Sequence, residues 1–398
     1  MISYDDAIAM ILETVQTLAP VTVATDDALG CVLAESVAST LDLPPADNSA
    51  MDGYAFQFDG LPEDQTLRQI GFVAAGDMFT GRVKPGETVK IMTGAPVPAG
   101  CDTVVPVEDI MQDGELVTLQ KLPHQGEHVR YRGEEINQGE TALESGTYLY
   151  SGAIGLLASS GVTQVSVHRP AKVAILSTGD ELVELGQIPT DGKIINSNSH
   201  LLAARVREAG CEPIVLGIAR DQPEELKQKM LQGLEADLMI TTGGVSVGDC
   251  DHVQDVLLSL GFEKKFWKVA IKPGKPVLFG TIEGKPVFGL PGNPASSGAT
   301  FDLFVRPALR KLEGQQKTRD TRVKARLTAP VRGGHKRQNF LWGQVGVDDG
   351  QLTFFPSQRQ ASGQNRSMQD GDALLPMPIS GPDLAAGDVA EIILLRLP

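Results

Sequence analysis

Cysteine is scarce in this 398-residue chain, and its four copies, Cys31, Cys101, Cys211 and Cys250, are scattered with no Cys-x-x-Cys pair. That spacing offers neither a disulfide framework nor a zinc-ligand set, and it fits reduced thiols. Long apolar runs are missing too: none reaches the ~18 residues of a membrane-spanning helix. The opening stretch, "MISYDDAIAMILETV", has early acids where a signal peptide has a basic start, and it reads as an amphipathic helix. A cytoplasmic location without membrane association is therefore expected. Positive charge is in short supply: 35 Lys and Arg stand against 50 Asp and Glu, a formal charge of −15. Such a balance argues against broad electrostatic capture of nucleic acid or an anionic membrane. It leaves room for a small anionic ligand held by local basic groups, backbone N–H groups or Mg²⁺. No Ser-His-Asp nucleophile arrangement, low-complexity segment or solenoid-spaced repeat is visible.

What is present suits a globular protein of two to four domains, with 41% hydrophobic and 21% charged residues. Residues 1–41 read as a helix followed by short strands. "SGAIGLLASSGVTQVSV" (151–167) supplies a further helix and strand that would return to that block. Residues 1–41 with 141–169 then form one helix/strand domain. The Gly- and Pro-rich segment 42–140, with short runs such as "ETVKIMTG" and "DTVVPVEDI", becomes a β domain inserted into it. Residues 170–312 alternate strand and helix: "KVAILS", a helix over Ser199–Ala209 capped by Gly210, "CEPIVLGI", a helix with Pro223 in its first turn, "DLMITT", and a helix from Asp251 to Leu260. This alternation predicts a doubly wound α/β domain whose ligands bind beyond the carboxyl ends of its strands. Residues 313–398 return to short strands and predict a small β-barrel or sandwich.

The stretch "TTGGVSVGDCDHV" (241–253) lies at that ligand edge. Gly243, Gly244 and Gly248, with Ser246, can present backbone N–H groups to phosphate, or serve only as a tight turn. A phosphate-binding loop of the familiar kind ends in Lys-Ser/Thr, whereas this one ends in Asp249 and Asp251. Asp180 and Glu181 follow the first strand of the block and Asp221 the second, so three successive strand ends deliver acids to one edge. Acids so placed repel one another unless they hold a cation or share protons, and Mg²⁺ with a phosphate-bearing ligand is the economical explanation. Helix N-capping by Asp221 and Asp251 is the plainer alternative. In "FWKVAIKPGKP", Lys272 and Lys275 flank a Pro-Gly turn and read as an oxyanion site or as solvated surface lysines. In "GLPGNPASS", Pro291 and Pro294 fix a turn that can present Ser296 and helix N–H groups to an anion, or only start a helix. The loops "PPADNSAMDGYA", "IMTGAPVPAG" and "VRYRGEEI" carry Asp52, Thr93, Glu134 and Glu135, for which an ordinary surface loop is the competing account.

Taken together, "SAMDGYA", "IMTGAPVP", "VRYRGEEI", "LSTGDEL", "TTGGVSVGDCDHV", "FWKVAIKPGKP" and "GLPGNPASS", in order over residues 49–297, resemble the molybdopterin molybdenumtransferase family. The resemblance implies an α/β plus β, multidomain fold. A central doubly wound α/β domain of the molybdopterin-binding type would carry an inserted β domain, a small helix/strand domain and a C-terminal β-barrel. It implies a Mg²⁺-dependent transferase that inserts molybdate into adenylylated molybdopterin and releases AMP. By matching positions, Asp52, Thr93, Glu135, Glu181, Asp221 and Asp251 would be catalytic, with Asp221 and Asp251 at the metal. Gly243, Gly244, Ser246, Lys272, Lys275, Pro291, Pro294 and Ser296 would bind substrate, with Arg337, Ser362 and Ser367 as tail candidates for anion contacts. The family's homodimer shares each site between subunits, so Asp52 and Glu135 would serve the partner's α/β domain. An adenylyltransferase and molybdoenzyme chaperones would be further partners. Two positions depart from the pattern: "RGEE" puts Glu135 where the family commonly has Asp, and "FLW" puts Trp342 where it often has Arg. A molybdopterin adenylyltransferase would resemble residues 170–312 alone, and a gephyrin-like scaffold would not need an intact site.

Overall fold

A computed structural model describes residues 1–190, 192–244, 252–369 and 371–396. Two compact units emerge: Met1–Val21, Gly30–Ala34 and Val167–Pro398 form the first, Thr22–Leu29 and Glu35–Ser166 the second. No helix of the described residues is long and apolar enough to cross a membrane.

The first unit is organised by the strand β1 (Lys172–Thr178), whose residues 173–178 are all buried. Successive side chains leave a strand on opposite faces. Val173 and Ile175 accordingly join one apolar cluster with Leu202 and Val206 of helix α1 (Ser197–Glu208). Ala174 and Leu176 join another, with Leu226 and Met230 of α2 (Pro223–Gly233) and Val256 and Leu257 of α3 (His252–Ser259). Coverage on both faces is what the unbroken apolar run predicts. The other strands are β2 (Glu212–Ala219), β3 (Leu238–Thr242), β4 (Glu263–Trp267), β5 (Leu278–Ile282) and β6 (Lys285–Leu290). Their order is β2-β1-β3-β6-β5-β4; the first four run parallel, and β5 and β4 add an antiparallel edge. Strand order reverses between β1 and β3, the switch point at which a crevice opens beyond the strand ends. Helix α1 starts two residues before the expected Ser199, with Asn196 as its cap, and Gly210 follows it at φ +83°.

The C-terminal strands settle the choice between sandwich and barrel. Gln338–Asp348, Gln351–Pro356, Arg322–Leu327, Val389–Leu394 and Ala373–Met377 pair in that order, and the last pairs back onto the first, as in Phe340↔Pro376. The ring closes around Phe354, Leu375 and Ile392, which removes sheet edges. An N-terminal helix, Tyr4–Thr14, begins with a Ser3/Asp6 capping box and sends Ile8 and Ile11 into the same cluster as Val173.

In the second unit, six strands order as Thr103–Pro106, Gly53–Phe56, Glu87–Ile91, Thr66–Val73, Leu116–Leu119 and Ile110–Asp113. Gly53 is required by close approach, since a Cβ there would lie 2.2 Å from the Val105 carbonyl oxygen. Helix Ser151–Ser159 belongs to this unit, and the Thr25 N–H donates to the Thr163 carbonyl.

Candidate functional site

A cleft of about 610 Å³ opens at the switch point of the first unit. Ser177 and Thr178 end β1, Thr242 ends β3, and the turn after β6 contributes Pro291, Gly292, Asn293 and Pro294. Glu181, Gly243 and Gly244 complete much of the wall. Glycine is needed in the loop for a steric reason. A Cβ on Gly243, at φ +93°, would meet the Thr178 carbonyl oxygen at 2.4 Å, and one on Gly244 would meet Val253 Cγ2 at 2.4 Å. Gly243 and Gly244 can therefore lie directly against the end of β1. Gly179, at φ +142°, makes room for the Glu181 carboxylate, which a Cβ would meet at 2.4 Å.

The acids expected at this edge are partly visible. The Asp221 N–H donates to Asp180 Oδ1 at 3.4 Å, and the guanidinium of Arg220 donates to the carbonyls of Asp180 and Leu182 at 3.2 and 3.3 Å. The N-cap of α2 is Gln222, with no side-chain cap bond, so Asp221 stands one residue before the capping position. Ser246, Asp249 and Asp251 lie outside the described residues. No group of three or more His, Cys, Asp or Glu that could hold a metal ion stands together among the described residues.

Beside the cleft, Lys272 and Lys275 are exposed on the turn that Pro273 and Gly274 shape. A Cβ on Gly274 would meet Thr300 Cγ2 at 2.2 Å, so this turn sits tightly on the helix Pro294–Thr300. The short strand Ile271–Lys272 pairs in parallel with Gln338–Asn339, and Arg337 donates to the Ile271 carbonyl at 2.9 Å. Arg337 and Lys272 are therefore neighbours, although neither lines the cleft itself. Ser362 is tied to the Pro-Gly-Asn turn: its carbonyl accepts from the Ala295 N–H at 3.1 Å, and its Oγ from Asn293 Nδ2 at 3.4 Å. Ser296 is buried and does not line the cleft. Ser367 is buried too, its hydroxyl donating to the Gln364 carbonyl at 2.6 Å, and so it is not presented to an anion. Trp342 is a core residue, 1% exposed, with the Arg205 guanidinium 5.7 Å from its ring.

Four cleft residues carry polar atoms that the sequence did not single out. Ser177 Oγ, Thr178 Oγ1, Asn196 Nδ2 and Asn198 Oδ1 are buried without a hydrogen-bond partner among the described residues. Buried polar groups are nearly always paired, and the gathering of four unpaired ones on residues of this one cleft makes it the candidate ligand site. Their motifs, "LST" and "NSNSH", carry no charge and no unusual spacing; only their place at a strand end and a helix start hints at them.

In the second unit, three loops are knit together. Val129 pairs with Ser49, the Ser49 N–H donates to the Ala95 carbonyl, and the Arg132 N–H donates to Asp47 Oδ1. Asp52 Oδ1 accepts from both the N–H and the hydroxyl of Thr93, each at 2.7 Å. The Thr93 hydroxyl and then its N–H hold the Asp52 carboxyl below its usual range. Glu135 lines a separate cleft of about 610 Å³ with Arg130, Glu134 and Asn48. Both Asp52 and Glu135 are exposed.

Comparison with known proteins agrees with this architecture along the chain. Residues 2–161 match the MoeA N-terminal region (domain I and II), 174–311 a probable molybdopterin binding domain, and 324–395 the MoeA C-terminal region (domain IV). A molybdopterin molybdenumtransferase from a Nostoc species is 37% identical over 93% of this chain and 87% of its own length. The chain belongs to the molybdopterin molybdenumtransferase family. Another relative so named, from Haemophilus influenzae, is 39% identical over 73% of this chain and 72% of its own. A molybdopterin biosynthesis MoeA protein from Pyrococcus horikoshii superposes with TM-score 0.83 and 31% identity, covering 100% of both chains.

Proposed function

We propose that this transferase inserts molybdate into adenylylated molybdopterin with release of AMP, the final step of molybdenum cofactor assembly, in the cytoplasm. The observation that carries the reading is the switch-point cleft, with its glycine loop and unpartnered polar atoms, in a chain of this family. Molybdate and the pterin nucleotide are its substrates. An adenylyltransferase is disfavoured because likeness to molybdenumtransferases runs over most of the chain.

Gly243, Gly244 and Ser246, with Pro291 and Pro294, bind the pterin nucleotide in this reading, and Glu181 faces it from the cleft wall; Ser296, buried behind the Pro-Gly-Asn turn, goes with the molybdate side. Lys272, Lys275 and Arg337 receive molybdate, with Ser362 supporting the Pro-Gly-Asn turn. Asp221 and Asp251 are the residues that would hold Mg²⁺. The fit is chemical: carboxylates are hard oxygen donors, and the Asp180 carboxylate accepts from the Asp221 N–H at the same edge of the sheet. Mg²⁺ commonly takes only one or two carboxylates alongside substrate phosphates. When bound, it offsets charge on the phosphoanhydride.

Asp52, Thr93 and Glu135 complete the site in a homodimer, each chain serving its partner's cleft, and C₂ symmetry makes two equal sites. The division into 1–41 with 141–169, 42–140, 170–312 and 313–398 goes with this arrangement. The supplying adenylyltransferase and molybdoenzyme chaperones are the expected partners. Purified protein, given adenylylated molybdopterin, molybdate and Mg²⁺, should release AMP and restore nitrate reductase in an extract lacking the insertion step. Absence of both outcomes would sink the reading. Mixing Asp52→Asn with Asp251→Asn subunits tests sharing: heterodimers contain one intact cleft, so activity should return. Confirmed subunit exchange without activity would show that each site lies within one chain.

A further inference from the structure

Asn198, at the start of α1, is joined to two strand ends by one amide group. Its Nδ2 donates to Thr242 Oγ1 at 2.9 Å, at the end of β3, and to the Gly292 carbonyl at 2.8 Å, in the turn after β6. A backbone carbonyl can only accept, so this pairing fixes which end of the amide is nitrogen. The Oδ1 is thereby committed to the other side, where it is buried without a partner on a residue that lines the cleft and is 8% exposed. Two residues earlier the arrangement is reversed. Asn196 Oδ1 accepts the Ser199 N–H at 3.3 Å, leaving Nδ2 as the buried, unpartnered donor of a residue 1% exposed. Two residues that line the cleft thus carry an acceptor and a donor, both oriented by backbone partners and neither satisfied.

We propose that Asn198 is a specificity-determining residue: its Oδ1 accepts an N–H from the edge of a bound amine-bearing heterocycle, while its Nδ2 holds the two loops that form the cleft. Asn196 Nδ2 donates to a ring nitrogen or carbonyl on the same edge. The inference rests on the cleft being the pterin nucleotide site. Adenine and pterin share the required chemistry, an exocyclic amine beside a ring acceptor. A site built to bond an N–H rejects an analogue lacking it, because its own buried acceptor is then left unmet.

Calorimetric titration of the full chain with two ligand pairs tests the proposal and separates the sources. AMP is compared with purine riboside 5′-monophosphate, which lacks the 6-amine; 6-hydroxymethylpterin is compared with its lumazine counterpart, in which an oxo group replaces the 2-amine. Wild type should prefer the amine-bearing member of one pair by about tenfold or more. Asn198→Ala should bring that ratio to about one; Asn198→Asp keeps an acceptor oxygen but turns a carboxylate oxygen toward the Gly292 carbonyl, so both members should weaken while the preference persists. Thr242→Val guards against a folding defect: it removes one anchor but keeps Oδ1, so both members of the pair should weaken together while the preference persists. A preference that survives in Asn198→Ala overturns the proposal. So does a wild type that binds without preferring either amine, as it would if only water met the Asn198 oxygen; the function proposed above would then still stand. If wild type binds none of the four, the cleft is not the nucleotide site, and both readings fall.

Discussion

The cleft of the first unit and the acidic loops of the second treat their polar groups in opposite ways. Around the cleft, hydroxyls and amides of Ser177, Thr178, Asn196 and Asn198 are buried and unmet. In the second unit, Asp52 is exposed and already takes two hydrogen bonds from Thr93. An unmet buried group costs about 1–3 kcal/mol, so the first arrangement carries a folding cost that a bound partner would offset. The second costs little, and it fixes a carboxylate in its ionised form on a loop surface. In the proposed reading the first region recognises by complementarity, and the second presents charge.

The sharpest way to break this contrast is at the acids of the cleft edge. Asp221→Asn should lower cofactor formation by more than about 100-fold, the scale on which preorganised electrostatic groups act. Its melting temperature should fall by no more than about 4 °C, since the change is nearly isosteric and lies outside the apolar core, where a cost of at most about 1 kcal/mol is expected. An active Asn variant would remove the metal role. Gly243→Ala acts through shape: with φ at +93° and the Thr178 oxygen 2.4 Å away, the backbone at position 243 must lift off β1. Destabilisation by about 1–3 kcal/mol in urea titration, with activity reduced well over tenfold, is expected. Unchanged values would mean that position 243 is not held against the strand.

Lys272→Gln should raise the molybdate concentration for half-maximal activity by about tenfold, as loss of one favourable charge contact of ~1.4 kcal/mol would. Affinity for AMP should change less. Equal weakening of both would point to general electrostatics. The smallest effect belongs to the second unit. Thr93→Val removes the hydroxyl that, with the Thr93 N–H, depresses the Asp52 carboxyl. A carboxyl lowered on folding contributes stability that is present above its unfolded value and is lost as pH falls through its folded value. The variant should therefore move the Asp52 titration, followed by NMR, upward, and shift the acid limb of activity the same way. No shift would mean that the Thr93 N–H suffices alone.

Much of this was legible in residue order. Val173 to Leu176 as an unbroken apolar run announced a strand covered on both faces, and Gly210 and Pro223 marked helix boundaries. Gly243, Gly244, Pro291 and Pro294 were expected at the ligand edge, and they line one cleft. Residue order did not reveal that Arg337 lies beside the Lys272 strand, because that pairing joins segments some 66 positions apart. Ser367 shows the converse, since its place in the pattern suggested an anion contact and it is buried; Trp342, standing where the family often has Arg, is a core residue.

Sequence by itself determined what acts locally: the period of each strand and helix, the turns that only glycine or proline can make, and the acids placed after strand ends. These follow from backbone sterics and side-chain alternation within a few residues. Tertiary structure decided which polar groups go unmet. Asn198 is an ordinary asparagine until Thr242 and Gly292, 44 and 94 residues away, take its amide protons and leave its oxygen alone. Satisfaction of a buried group depends on every atom packed around it, and that neighbourhood exists only once the strands are side by side.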